Sequence, residues 1–220
     1  MLRKKYRNNN RLQNDINVIK RKCVIYIHGK GGGADEAEHY KPLFADCDVI
    51  GFDYRTQTPW EAKAEFANFF TKIAAKYEQI CIVANSIGAF FAMHALPDFM
   101  LLKAYFISPI VNMEHLIENM LQWANVTEAE LKQKEIITTE FGETLSWKYL
   151  DWVRVHPLNW TTPTHILYGN NDNLQSLKDI EDFAAKTGAD VTVMQDGEHW
   201  FHTPEQMQFL DDWIANRESL

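Results

Sequence analysis

Short apolar runs alternate with amphipathic stretches through most of this chain. Val24-Ile25-Tyr26-Ile27, Cys47 to Phe52, Ile80-Cys81-Ile82-Val83, Ala104 to Pro109, Thr164 to Tyr168 and Val191 to Met194 are strand-length, predominantly apolar segments. Runs of this kind suit strands buried on both faces of a parallel sheet. Between them the period changes to that of a helix. Asp35 to Phe44 predicts a short one, and Pro59-Trp60-Glu61 opens a longer one carrying Ala64, Phe66, Ala67, Phe70, Ile73 and Ala74 at mostly helical spacing. Ile87 to Leu96 is apolar almost all round and stops at Pro97, and Thr203-Pro204 opens a last helix running to about Asn216. Strands alternating with helices at this spacing predict an α/β fold with a doubly wound, mostly parallel sheet of about six strands.

The alternation breaks once. About fifty residues separate Pro109 from the strand at Thr164. Within them Met113 to Trp123, Thr127 to Lys134 and Ser146 to Val155 predict helices, with Thr127-x-x-Glu130 as a capping box. The expected organisation is a single domain with three parts: a basic N-terminal arm over residues 1–22, a core of 23–109 with 161–220, and a helical insertion over 110–160. The insertion carries Trp123, Trp147, Trp152 and Trp160, four of the seven tryptophans. These rings either line an apolar pocket or form the insertion's own small core.

Composition narrows the class. At 220 residues and 46% hydrophobic, the chain is long enough for one domain with a substantial core. No apolar run approaches the ~20 residues that span a bilayer. The basic N-terminus is followed by a polar, Asn-rich stretch where a secretory signal would place its apolar centre. Cys23, Cys47 and Cys81 fall in or beside expected strands and suggest reduced core thiols. A cytoplasmic protein is the resulting expectation. Residues 1–22 hold eight Lys/Arg against Asp15 alone, although the net charge of the chain is −8. Such an arm is either a solvated tail, a strap against the acidic body, or a contact for nucleic acid or an acidic partner. The body lacks the basic, aromatic-studded surface of a nucleic-acid binder, so neither nucleic acid nor membrane is expected as a partner.

The candidate chemistry centres on Gln79 to Pro97. The strand becomes a helix within Ala84-Asn85-Ser86-Ile87-Gly88, with no room for a loop. So sharp a turn needs small residues, here Ala84, Gly88 and Ala89, and it thrusts the Ser86 hydroxyl out at the top of the sheet. That is the geometry of an activated nucleophile. The segment resembles the nucleophile elbow of the α/β-hydrolases, G-x-S-x-G, with Ala84 in the place of the first glycine. His28-Gly29-Lys30-Gly31-Gly32-Gly33 follows the first strand and lacks the Lys-Ser/Thr ending of a phosphate-binding loop. It resembles the oxyanion loop of the same family, where glycines leave backbone N–H groups facing the substrate.

The resemblance covers residues 23–216 and carries implications for named positions. Lys30 and Ile87 would supply the oxyanion N–H groups, and His28 would be scaffold. Asp172, ending the polar loop Tyr168-Gly169-Asn170-Asn171-Asp172, would be the acid; a turn or N-cap role is the alternative for such an Asp. His199, within Asp196-Gly197-Glu198-His199, would be the base. Its rival is His202, which stands beside Thr203-Pro204 and reads as a helix-entry residue. A zinc site from His199-x-x-His202 lacks a third ligand, so neither metal nor other cofactor is expected. The insertion would be a helical cap over the site. Ser86, Asp172 and His199 stand in the chain order of the α/β-hydrolases. What this implies is a serine hydrolase acting on a small-molecule acyl substrate, a carboxylic ester with a small or medium acyl group. A serine peptidase or amidase and a non-catalytic binding protein of the same fold are the alternatives. Oligomeric state is left open.

Overall fold

The six apolar runs become the six strands of one sheet. The computed structural model describes residues 21–218, so residues 1–20 of the expected basic arm lie outside the described residues. The strands are β1 (Lys22–Ile27), β2 (Asp48–Phe52), β3 (Gln79–Asn85), β4 (Lys103–Ile107), β5 (Ile136–Thr138), β6 (Thr144–Ser146), β7 (Thr164–Gly169) and β8 (Asp190–Met194). The main sheet has the order β2-β1-β3-β4-β7-β8, and every neighbouring pair in it is parallel. β5 and β6 form a separate antiparallel hairpin. A parallel sheet covered on both faces explains why its strands are apolar without alternation.

The helices are α1 (Ala37–Tyr40), flanked by 3-10 turns over Ala34–Glu36 and Lys41–Leu43, then α2 (Pro59–Ala74), α3 (Ile87–Ala95), α4 (Met113–Trp123), α5 (Glu128–Lys134), α6 (Trp147–Val155), α7 (Leu177–Thr187) and α8 (Pro204–Glu218). α2, α3 and α7 close one face of the sheet around Phe66, Phe70, Phe91, Phe106 and Ile180, whereas α1 and α8 close the other around Tyr40, Tyr105 and Trp213. The Phe stripe of α2 is thus core: Phe66 and Phe70 are fully buried and edge onto Phe52.

Three elements depart from expectation. α7 replaces what the sequence leaves unassigned between residues 172 and 190; its capping box is Ser176 with Asp179. Thr127, by contrast, caps α5 with its side chain alone, because the Glu130 carboxylate turns to Lys134 at 2.8 Å. The hairpin β5–β6 interrupts the helices of the insertion, with Gly142 at φ +86° in its turn. Three-residue strands are too short to show a period. Of the cysteines, Cys23 is buried while Cys47 and Cys81 are only half-buried, and all three are free thiols. Burial raises the Cys23 thiol to about 12 and Cys81 to about 11. No described helix is long and apolar enough to cross a membrane.

Candidate active site

Ser86 occupies the turn from β3 into α3 with φ 50° and ψ −121°, a backbone conformation that strains any residue bearing a Cβ. Surrounding hydrogen bonds hold it there. Its N–H donates to the Ile107 carbonyl at 3.0 Å, and its own carbonyl accepts from Ala89 at 3.1 Å and Ile110 at 3.2 Å. α3 starts so close to β1 that a Cβ on Gly88 would lie 2.3 Å from the His28 carbonyl oxygen. Only glycine fits. On the opposite side a Cβ at Gly29 would come within 3.3 Å of the Ser86 Cβ, so the glycine loop packs directly on the elbow.

That loop curls through a Gly32 N–H to Gly29 carbonyl bond of 3.2 Å and puts Lys30 at the same cavity as Ser86. Ile87 is the first residue of α3, so its N–H is among the four that a helix leaves without an intrahelical acceptor. The His28 side chain is not among the groups lining that cavity. It stacks on Tyr54 at 4.2 Å, while its carbonyl accepts the Tyr54 hydroxyl at 2.8 Å.

The other two predicted residues arrive on loops after β7 and β8. A Cβ at Gly169 would lie 2.4 Å from the Gly197 backbone, and this glycine-on-glycine contact lets the loops touch. The Asn171 N–H donates to the Gly197 carbonyl at 2.8 Å and the Asp196 N–H to Asn170 Oδ1 at 2.7 Å. The Asp172 side chain is fully buried. Its Oδ1 accepts the N–H groups of Leu174 (2.7 Å) and Gln175 (3.1 Å), and its Oδ2 lies 2.7 Å from His199 Nδ1. His199 Nε2 in turn lies 2.8 Å from Ser86 Oγ. A carboxylate beside Nδ1 requires the proton on that nitrogen, which leaves Nε2 free to accept from the serine hydroxyl. Residues 86, 172 and 199 thus form one hydrogen-bonded chain. His202 stands outside it: its ring stacks on Trp200 at 4.4 Å, its Nδ1 bonds the Trp200 carbonyl, and Thr203 caps α8 through the Gln206 N–H.

Several residues at the site carry no sequence signal. Gln175, 2% exposed, accepts the N–H groups of Val111 and Asn112 at 2.8 Å each and donates to the Asn112 carbonyl at 3.2 Å. It ties the Asp172 loop to the start of the insertion. Asn85 Nδ2 donates to the Tyr26 hydroxyl at 2.9 Å, and that hydroxyl donates to the Glu36 carboxylate. Burial, then the neighbouring Tyr40 and Glu36, push the Tyr26 phenol upward, so it stays protonated as a donor.

A cavity of about 750 Å³ opens beside Ser86 and His199, between the glycine loop, α1 and the segment leading into α8. None of the four insertion tryptophans lines it. Trp160 is core, tilted against Phe106 at 5.6 Å, and its indole N–H donates to the Thr164 hydroxyl at 2.8 Å. Trp152 packs on His156, His94 and Trp60, Trp147 lies under Lys132, and Trp123 meets Phe141. These rings serve the insertion's own packing and its seat on α2 and α3. The insertion reaches the glycine loop through an ion pair between Lys30 and Glu143, in the hairpin turn.

No family model and no curated protein matches the chain. Solved structures do. The chain is similar to a provisionally assigned hydrolase from Agrobacterium vitis S4 (TM-score 0.71, 18% identity, 89% of this chain and 87% of that one). It is also similar to Est1E from Butyrivibrio proteoclasticus (0.69, 12%, 90% and 87%) and to the alpha/beta hydrolase domain-containing protein 10 from mouse (0.69, 16%, 89% and 89%). With its six-stranded parallel sheet and flanking helices, the chain has the α/β-hydrolase fold.

Proposed function

We propose that the protein is a serine hydrolase that cleaves a carboxylic ester of a small or medium acyl substrate. The observation that carries this reading is His199 standing between Ser86 Oγ at 2.8 Å and Asp172 Oδ2 at 2.7 Å. In the proposed mechanism His199 Nε2 takes the proton of Ser86 as Oγ attacks the ester carbonyl, and Asp172 holds the imidazole and stabilises its charged form. The N–H groups of Lys30 and Ile87 bind the tetrahedral oxyanion. The alkoxide leaves with the proton from His199, and an acyl-enzyme on Ser86 remains. Water, deprotonated by the same imidazole, then releases the acid.

The ester assignment rests on likeness of fold to proteins such as the esterase PF2001 from Pyrococcus furiosus (TM-score 0.58, 17% identity, 91% of this chain and 81% of that one). Amide hydrolysis uses the same machinery, and a proline iminopeptidase-related protein from Thermus thermophilus is among the similar structures (TM-score 0.61, 19% identity, 91% of this chain and 90% of that one). Paired esters and aminoacyl amides of one acyl group distinguish the two. The primary test is labelling with a fluorophosphonate and location of the adduct by mass spectrometry. The expected result is an adduct at Ser86 in the wild type and none in Ser86→Ala or His199→Ala. A folded wild type that takes no label would overturn the proposal in favour of a binding protein.

A further inference from the structure

Among the described residues, one charged group at the cavity beside Ser86 has no ion-pair partner. The α8 side of the cavity is apolar, formed by Phe201, Met207 and Leu210. Four of the ionisable groups that line it have partners of opposite type: Lys30 pairs with Glu143, His39 with Asp211 at 2.7 Å, His199 with Asp172 at 2.7 Å and His202 with Glu198 at 3.5 Å. Glu36 differs. Its carboxylate lies against the glycine loop, where a Cβ on Gly32 would meet Oε1 at 2.8 Å, and among the described residues it accepts one side-chain hydrogen bond, at Oε2 from Tyr26. Among the described residues Glu36 forms no ion pair. Next to His199, at the same cavity, stands Trp200, an indole 73% exposed. A carboxylate and an exposed indole, one face of which stacks on His202, at one cavity with an apolar wall are groups that recognise an ammonium ion. The chain's net charge of −8 favours the approach of a cation.

We propose that the compound hydrolysed at Ser86 carries a cationic ammonium group, bound by the carboxylate of Glu36 with Trp200 as its aromatic neighbour. The assignment of a substrate, though not of the cation site, rests on the serine-hydrolase reading above. Glu36 and Trp200 are then specificity residues, and a neutral compound of the same shape is a poorer ligand.

The test uses the full chain and two probes of equal shape, choline and 3,3-dimethylbutan-1-ol, which differ in a charged nitrogen against a carbon. Binding is read by titration calorimetry and by slowing of fluorophosphonate labelling at Ser86. Choline is expected to bind the wild type more tightly than the alcohol, and the preference to fall by about tenfold in Glu36→Gln, the size of a charge-assisted contact near the surface. Glutamine still accepts from Tyr26, so that variant keeps its fold, which an unchanged Tm would verify. Trp200→Ala is expected to weaken choline and spare the alcohol. Equal binding of the two probes, no binding of choline, or an undiminished preference in Glu36→Gln would each overturn the proposal. Those failures leave labelling at Ser86 intact. Choline binding without any labelling would instead overturn the hydrolase reading, and with it the claim that the cation belongs to a substrate.

Discussion

At the scale of single residues, the site depends on a few positions that allow no substitute. The Asp172 carboxylate has its two oxygens divided, one fixed by the Leu174 and Gln175 N–H groups and one facing His199. Asp172→Asn keeps the first set of bonds and puts an amide N–H against Nδ1, forcing the imidazole proton to Nε2. Turnover is expected to drop by about 10⁴-fold with little change in fold, the effect of the wrong tautomer in such a chain. Steady-state kinetics beside a thermal melt would separate the two. Gly88→Ala acts the other way. Its Cβ would fall 2.3 Å from a backbone oxygen that cannot move independently of β1, so a loss of roughly 1–3 kcal/mol is expected from overpacking, read by urea denaturation. The small residue expected at this position from the sharpness of the turn has its cause in that contact. Glu36, Trp200 and Gln175 had no such signal. Each is an ordinary polar or aromatic residue in a loop or short turn, and only the approach of distant segments gives it a partner.

At the scale of elements, the insertion and the Asp172 loop are coupled through one side chain. Gln175 satisfies two insertion N–H groups and one carbonyl while buried. Gln175→Leu leaves those N–H groups without acceptors, at about 1–3 kcal/mol for each buried group left unpaired. The expected outcome is a lower midpoint in urea together with reduced turnover, since the loop that presents Asp172 loosens at the same time. The Lys30–Glu143 pair is the other link between insertion and site. Both partners are partly exposed, at 61% and 33%, so it adds at most about 1 kcal/mol. Glu143→Gln should leave the melting temperature within error. If it changes the labelling rate of Ser86 instead, the pair positions the glycine loop. The long helices and main strands were legible from periodicity because each repeats its pattern over many residues. The three-residue strands β5 and β6 are too short for any period, whereas α7 carries two local signals, the capping box of Ser176 with Asp179 and the buried Ile180 and Phe183 at helical spacing.

At the scale of the whole molecule, the seat of the insertion on α3 introduces a pH dependence of stability. His94 lies between Phe90 and Trp152, at 4.5 and 4.9 Å, and burial, then the nearby His156, lower its pKa to about 4. The unfolded chain protonates this residue near 6.5. Between about 6.5 and 4 the unfolded state therefore binds a proton that the native state refuses, and stability is lost as pH falls through that window. Above it the contribution is complete. The loss is at most about 3 kcal/mol, reduced by the partial exposure of the ring. Melting curves at pH 7, 5.5 and 4.5 should show the decline, and His94→Gln should flatten it. An identical pH profile in that variant would assign the acid sensitivity to other groups.

Strand and helix alternation, the parallel sheet, and the order of Ser86, Asp172 and His199 along the chain were all written in the amino-acid sequence. These are local properties: apolar periodicity, glycine content and residue order need no partner to be read. Which way each side chain faces came only with the folded chain. Folding brought Gly169 onto Gly197 so that an aspartate and a histidine 27 residues apart meet at 2.7 Å. It also turned the insertion tryptophans into packing rather than lining, and it set the cavity between α1 and α8. Pairings of that kind arise from backbone approach across segments distant in sequence, and no pattern within one segment encodes them.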